Sequence, residues 1–158
     1  MKSVRSLRVE KTVLEWGTWA DGRMPANAFP LSKGKSYRLA AGWRWCVHKL
    51  SDGARQFRLL VAYDPAKQQF QSWLGIEKGS DQLLVARIEF HDSHGGWHCH
   101  WKTGDLKDIV PGTVRAGLKD RSRECSGERR DISDMDANGI AFRVFNVSYR
   151  YPIAGAML

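Results

Sequence analysis

A chain of 158 residues that is 42% hydrophobic is long enough for one core and too apolar for disorder throughout, so a single domain over 1–158 is expected. Three widely spaced cysteines, Cys46, Cys99 and Cys125, with no Cys-x-x-Cys, indicate neither a disulfide framework nor a zinc knuckle. The formal charge of +8 falls in the first two-fifths: residues 1–62 hold 12 Lys/Arg against 4 Asp/Glu, and residues 63–158 hold 13 of each.

That asymmetry suits a polyanionic partner, nucleic acid first; the plain alternative is a basic, solvated face. The opening MKSVRSLRVEK lacks the apolar run of a signal peptide, and no stretch approaches a membrane span. A cytoplasmic protein with no membrane partner is therefore expected, with a protein partner or a homo-oligomer left open.

In chain order, Ser3 to Trp16 fits neither helical nor alternating periodicity well. Gly17 to Gly34 is rich in Gly, Pro, Asn and Ser and reads as a long connection anchored by Trp19 and Phe29. Tyr37 to Leu50 alternates as a strand, with Tyr37, Leu39, Trp43, Trp45 and Val47 toward the core and Arg38, Arg44 and His48 away from it. Ser51 to Ala54 is a hairpin turn, Phe57 to Tyr63 its return strand, and Asp64 to Lys67 turns again into Gln69 to Ile76. Residues 113–138 are dense in both charges and read as a mobile loop or a short helix; Ile140 to Tyr151 reads as a final long strand.

Leu83 to Asp105 is the most informative stretch, because four of the five histidines, His91, His94, His98 and His100, lie within ten residues. Leu83 to Phe90 and Trp97 to Lys102 are strand-like, and Asp92 to Gly95 between them is turn chemistry. Gathering the apolar residues on one face places Phe90 opposite Trp97 and Ile88 opposite Cys99. Glu89 then faces His98, and the polar face collects Arg87, Glu89, His91, His98, His100 and Lys102. A slip of one residue would expose the tryptophans.

This hairpin supports two chemistries. His98 and His100 share a face about 7 Å apart at the backbone, near enough to reach one metal. His91 or Glu89 could add a third ligand and Asp105 or His94 a fourth, giving a divalent transition metal such as Zn or Mn at His91, His98 and His100. Without metal, Glu89, His91, His98 and His100 have the parts for phosphodiester cleavage, with Arg87 and Lys102 on the phosphate. RNA would supply its own 2′-hydroxyl as nucleophile.

Arg38, Arg44 and Arg58 form a candidate basic face that would hold the nucleic-acid backbone. Trp43 and Trp45 beside them could stack bases, but their spacing suits core packing better. The arginines at 121, 123, 129 and 130 are interrupted by acids and read as a solvated segment. Cys99 alternates away from its flanking histidines, so it is not a nucleophile candidate.

His98-Cys99-His100, then Asp105 and Gly112, resembles the first metal-binding motif of the cupin barrels over some fifteen residues. The sequence departs from that motif at Asp105, where Glu is expected, and at Asp92, where Gly is expected. No histidine follows His100 to complete a second motif, so the likeness is one of local geometry, not of membership.

The expected fold is mainly β, with α+β as the alternative: an antiparallel meander curled into a sheet or partly open barrel, with one helix covering an end. The leading functional expectation is a small basic protein acting on nucleic acid, an RNase-like nuclease with its site on the hairpin. A non-enzymatic nucleic-acid-binding or assembly subunit is the alternative, and a cupin-like metal-dependent small-molecule enzyme the second.

Overall fold

Five antiparallel strands follow one another through the middle of the chain: β3 (Arg44–Ser51), β4 (Gln56–Asp64), β5 (Gln69–Lys78), β6 (Asp81–His91) and β7 (Gly96–Lys102). The computed structural model describes residues 4–25, 39–79, 81–91, 96–102, 104–108, 118–120 and 132–149. Within these, the fold is mainly β, an open sheet curled into a half-barrel with one helix, as the alternation led us to expect. The sheet has nine strands, in the order β8-β7-β6-β5-β4-β3-β1-β9 with β2 also on β3. Here β1 is Lys11–Glu15, β2 Ala20–Asp21, β8 Leu118–Asp120 and β9 Val147–Ser148.

The central strands are apolar on both faces. From Phe57 to Asp64 only Arg58 is not buried, and β5 is buried from Phe70 to Ile76. Two cores result. The larger joins Cys46, Leu50, Phe57, Leu59, Val61, Phe70, Leu74, Ile88, Phe90, Cys99 and Trp101 to the helix; the smaller joins Leu60, Ala62, Trp73 and Leu84 to Met24 and Leu39.

This division corrects the faces expected for β3. His48 lies wholly buried in line with Cys46 and Leu50, whereas Trp43, Trp45 and Val47 are only partly buried against the smaller core. With both faces covered, alternation alone cannot say which side holds the greater volume. The strand is also shorter than expected: Ala41 and Gly42 form a turn, Trp43 N–H donates to Ala40 O (3.2 Å), and β3 begins at Arg44. Tyr37 and Arg38 lie outside the described residues.

The strand expected over Ile140 to Tyr151 is instead, at its start, the end of helix α1 (Asp134–Phe145); among the described residues Val147–Ser148 extends as β9, and Arg150 and Tyr151 lie outside them. The deciding signal is the capping box. The Ser133 hydroxyl accepts from Asp136 N–H, and the Asp136 carboxylate accepts from Ser133 N–H. Ala137, Asn138, Ala141, Phe142 and Phe145 then form one buried helical stripe. Asn146, left-handed at φ 53°, ends the helix. The charged segment 113–138 thus contributes β8, the N-cap and the first turn of α1, and its residues 113–117 and 121–131 are outside the described residues.

The ambiguous N-terminus forms a 3-10 turn (Val4–Arg8) and then β1, which lies between β3 and β9. Lys11 fixes it there. Its wholly buried ammonium donates to the carbonyls of Leu7, Val9 (2.9 Å) and Phe145 (3.0 Å), and burial lowers its pKa to about 8. Of the long connection, Trp19 does act as an anchor, edge-on to Tyr63 at 5.6 Å. Phe29 lies outside the described residues.

Phe142 sits where helix, β3 and both terminal strands meet, 5.2 Å from His48, 5.7 Å from Trp16 and 5.1 Å from Tyr149 between ring centroids. Phe142→Ala should cost about 3–5 kcal/mol in urea denaturation, while Met135→Ala, on the exposed side of the same helix, should stay within about 0.5 kcal/mol.

Candidate functional site

The β6–β7 register is the one expected from sequence, with Phe90 opposite Trp97, Ile88 opposite Cys99, Glu89 opposite His98 and Arg87 opposite His100. On the core face the Phe90 and Trp97 rings meet at 5.1 Å. Gly96, at φ 115°, opens β7 in a conformation that glycine adopts readily. Cys99 is buried on this face and disulfide-bonded, which corrects the expectation that the cysteines form no disulfide and agrees with setting Cys99 aside as a nucleophile.

On the opposite face, one carboxylate oxygen gathers the polar residues. Glu89 Oε1 accepts from Arg87 Nη2 at 2.7 Å and lies 3.3 Å from His100 Nε2 and 3.9 Å from His91 Nε2. The His91 and His98 rings stack at 5.3 Å, and His98 lies 6.4 Å from His100. Side-chain exposure rises from 6% at Arg87 through 16% at Glu89 to 23% at His91, so the cluster is sealed at one end and reachable at the other. Arg87 also lies over the buried Trp73 ring, 4.9 Å from its centroid. Backbone register explains this join: Val47, Leu60, Trp73, Arg87 and His100 form one row across the sheet, passing from the smaller core into the histidine site.

Glu89, His91, His98 and His100 are therefore brought together with Arg87. Lys102 ends the same face of β7, buried, with its pKa lowered by desolvation. Asp105 lies beyond β7 at the start of a 3-10 turn, and His94 is outside the described residues. Among the described residues no three His, Cys, Asp or Glu side chains are placed to share a metal ion. The meander also differs from the paired Greek keys of a jelly roll, which leaves the cupin likeness purely local.

The candidate phosphate-binding arginines are engaged within the chain. Arg44 donates to Asp134 through Nε (2.9 Å) and Nη2 (2.7 Å) and to Asp21 through Nη1 (2.6 Å); Arg58 pairs with Glu77 at 3.0 Å. The Arg44 hydrogen bonds hold the Asp134 carboxyl below the usual carboxylate range. Asp134 and Glu77 belong to the electrically balanced part of the sequence and fold back on the basic part, so the asymmetry along the chain is partly cancelled in space. Arg38 lies outside the described residues.

Sequence reasoning missed a second polar cluster, around the fifth histidine. His48 Nδ1 accepts from Gly17 N–H at 3.0 Å, which leaves the proton on Nε2 for Asn138 Oδ1, also at 3.0 Å. Cys46 Sγ lies 3.2 Å from that same Nε2. An Nε2 that already carries a proton cannot take one from the thiol, and burial pushes the Cys46 pKa far up and the His48 pKa down. The set resembles a nucleophile–base pair in composition only. Its sequence signal was Cys46-x-His48-x-Leu50 on a single strand face.

The Arg87–Glu89 pair is the test of how the histidine cluster is held. Glu89→Leu should destabilise the protein by about 3–5 kcal/mol in denaturant melts, because it takes the carboxylate away from a buried guanidinium. Arg87→Met with Glu89→Leu should recover most of that loss, a coupling that the double-mutant cycle measures directly.

No model of a known protein family matches the chain, and neither does any curated protein or solved structure, so what the site does must be argued from its own chemistry.

Proposed function

We propose that this is a small nucleic-acid-acting protein whose histidine face cleaves RNA phosphodiesters by acid–base chemistry. The observation that carries the reading is the single Glu89 oxygen shared by Arg87, His100 and His91, with His98 stacked beside them. The Glu89 carboxylate, 3.3 Å from His100 Nε2, places negative charge beside an imidazolium that forms there during turnover. His98, 6.4 Å away, is the second proton carrier.

One imidazole removes the proton of the RNA 2′-hydroxyl as the 2′-oxygen bonds to phosphorus. The other protonates the departing 5′-oxygen as its bond to phosphorus breaks, leaving a 2′,3′-cyclic phosphate and a free 5′-hydroxyl. Lys102, buried two residues beyond His100 at the sealed end, adds positive charge behind the phosphorane without touching it. Arg87 is a positioning residue: it balances the Glu89 charge and fixes that carboxylate. The reading favours a metal-free reaction, because the rings stack side by side instead of converging on a point. A non-catalytic binding or assembly subunit is the second reading, favoured by exposed Val9, Leu14 and Tyr149 at the β1–β9 edge.

Single-stranded RNA should be cut with or without a chelator, and DNA of the same sequence, which lacks the 2′-hydroxyl, should survive. His98→Gln and His100→Gln should each lower cleavage about 10²–10⁴-fold with little change in RNA affinity. Unchanged turnover in the folded double variant refutes the catalytic assignment. Loss of cleavage with chelator, restored by Zn or Mn, moves the chemistry to a metal on the same histidines. RNA binding with no cleavage in any variant favours the binding subunit.

A further inference from the structure

We infer that His48 is a pH-sensitive latch holding the segment that joins β1 to β2 against the edge of β3. Both short strands pair with that edge, Glu15 opposite Lys49 and Ala20 opposite Trp45, and between them the ladder is interrupted. In the gap the acceptor for Gly17 N–H is the imidazole nitrogen Nδ1 of His48, at 3.0 Å. Gly17 also lies so close to the strand that a Cβ there would meet Val47 O at 2.4 Å, so the segment sits directly on β3.

The ring is locked in one tautomer. Asn138 Oδ1 takes the Nε2 proton, so a second proton can enter only at Nδ1, where it meets the Gly17 N–H head-on. An acceptor then becomes a donor, and the bond is lost. The surroundings offer a buried cation little. Trp16 and Phe142 wall the ring at 5.4 and 5.2 Å, Leu59 pairs with His48 in backbone register, and the Cys46 thiol is neutral. The charged groups nearest in sequence are already paired: Lys49, next to His48, with Glu15, next to Trp16 (2.5 Å), and Arg44, two residues from Cys46, with Asp134, one helical turn from Asn138.

The sign follows from burial, which disfavours the charged ring in the closed form. The open form takes up a proton below about pH 6.5 and the closed form resists it, so opening grows below that point, at most about tenfold per pH unit. The rest of the segment is held by contacts that do not involve His48, among them Trp19 packed edge-on to Tyr63. Gly22 N–H donates to Trp43 O (2.9 Å), Trp45 Nε1 donates to Gly22 O (3.1 Å), and Asp21 shares Arg44 with Asp134.

Amide hydrogen exchange of the whole protein between pH 7.5 and 5, corrected for the intrinsic exchange rate, tests the latch. Protection over Trp16–Met24 should fall below pH 6.5, by up to about tenfold per unit, while β4 and β5 keep theirs. In His48→Gln, whose amide can accept and donate but not titrate, the same segment should show no pH dependence. Loss of protection in β4 and β5 together with the segment means global acid unfolding and overturns the proposal. So does flat protection in the wild type or an unchanged slope in His48→Gln. If the variant does not fold, the wild-type contrast between segment and sheet decides alone.

Discussion

Both faces of the central strands are cut off from water, and every polar group placed there must find its partner inside the protein. The Ser72 hydroxyl donates to Leu60 O at 2.6 Å, and Trp73 Nε1 donates to Gln71 Oε1 at 3.1 Å. The same demand makes Arg87 and Glu89, two residues apart on one face of β6, each other's counter-ion. The histidine cluster is what this requirement leaves where the face begins to open. A carboxylate already neutralised by an arginine remains as a rigid acceptor, and the imidazoles arrange themselves around it.

The helix serves the other face. Its first turn is clamped by Arg44 and by the Tyr63 hydroxyl, 2.6 Å from Asp134 Oδ1, and its last carbonyls are held by Lys11. Between these ends Asn138 reaches His48, and the two phenylalanines fill the half-barrel. A cation from an early strand fixes each end of α1. That arrangement engages two of the early cations, Arg44 and Lys11, inside the fold.

The histidine hairpin was legible because its apolar residues are large and occupy every second position. Phe90, Ile88, Trp97 and Trp101 allow one register, and that register carries Glu89 to His98 without further information. Helix α1 was not legible from alternation, because Ile140, Phe142 and Val144 satisfy period two as readily as Ala137, Ala141 and Phe145 satisfy the helical period. The Ser133-x-x-Asp136 box, lying within a run of charges, was the missed arbiter. The face of His48 was hidden for a different reason. A strand buried on both sides carries no polar side to orient it, and only long-range partners such as Asn138 decide. Arg44 and Arg58 looked like open cations because their acids lie 90 and 19 residues away in sequence.

The position of β1 has a consequence for the order in which the molecule is made. The meander from β3 to β7 consists of neighbours in sequence and can close hairpin by hairpin as the chain leaves the ribosome. The strand β1 emerges earlier, yet one of its edges stays bare until β9 arrives. The carbonyl that completes the Lys11 cage is Phe145, 134 residues downstream. During synthesis the nascent chain therefore carries an unsealed strand edge, with Leu14 exposed on it even in the finished fold. Closure of the half-barrel is a late event that ties the first-made strand to one of the last.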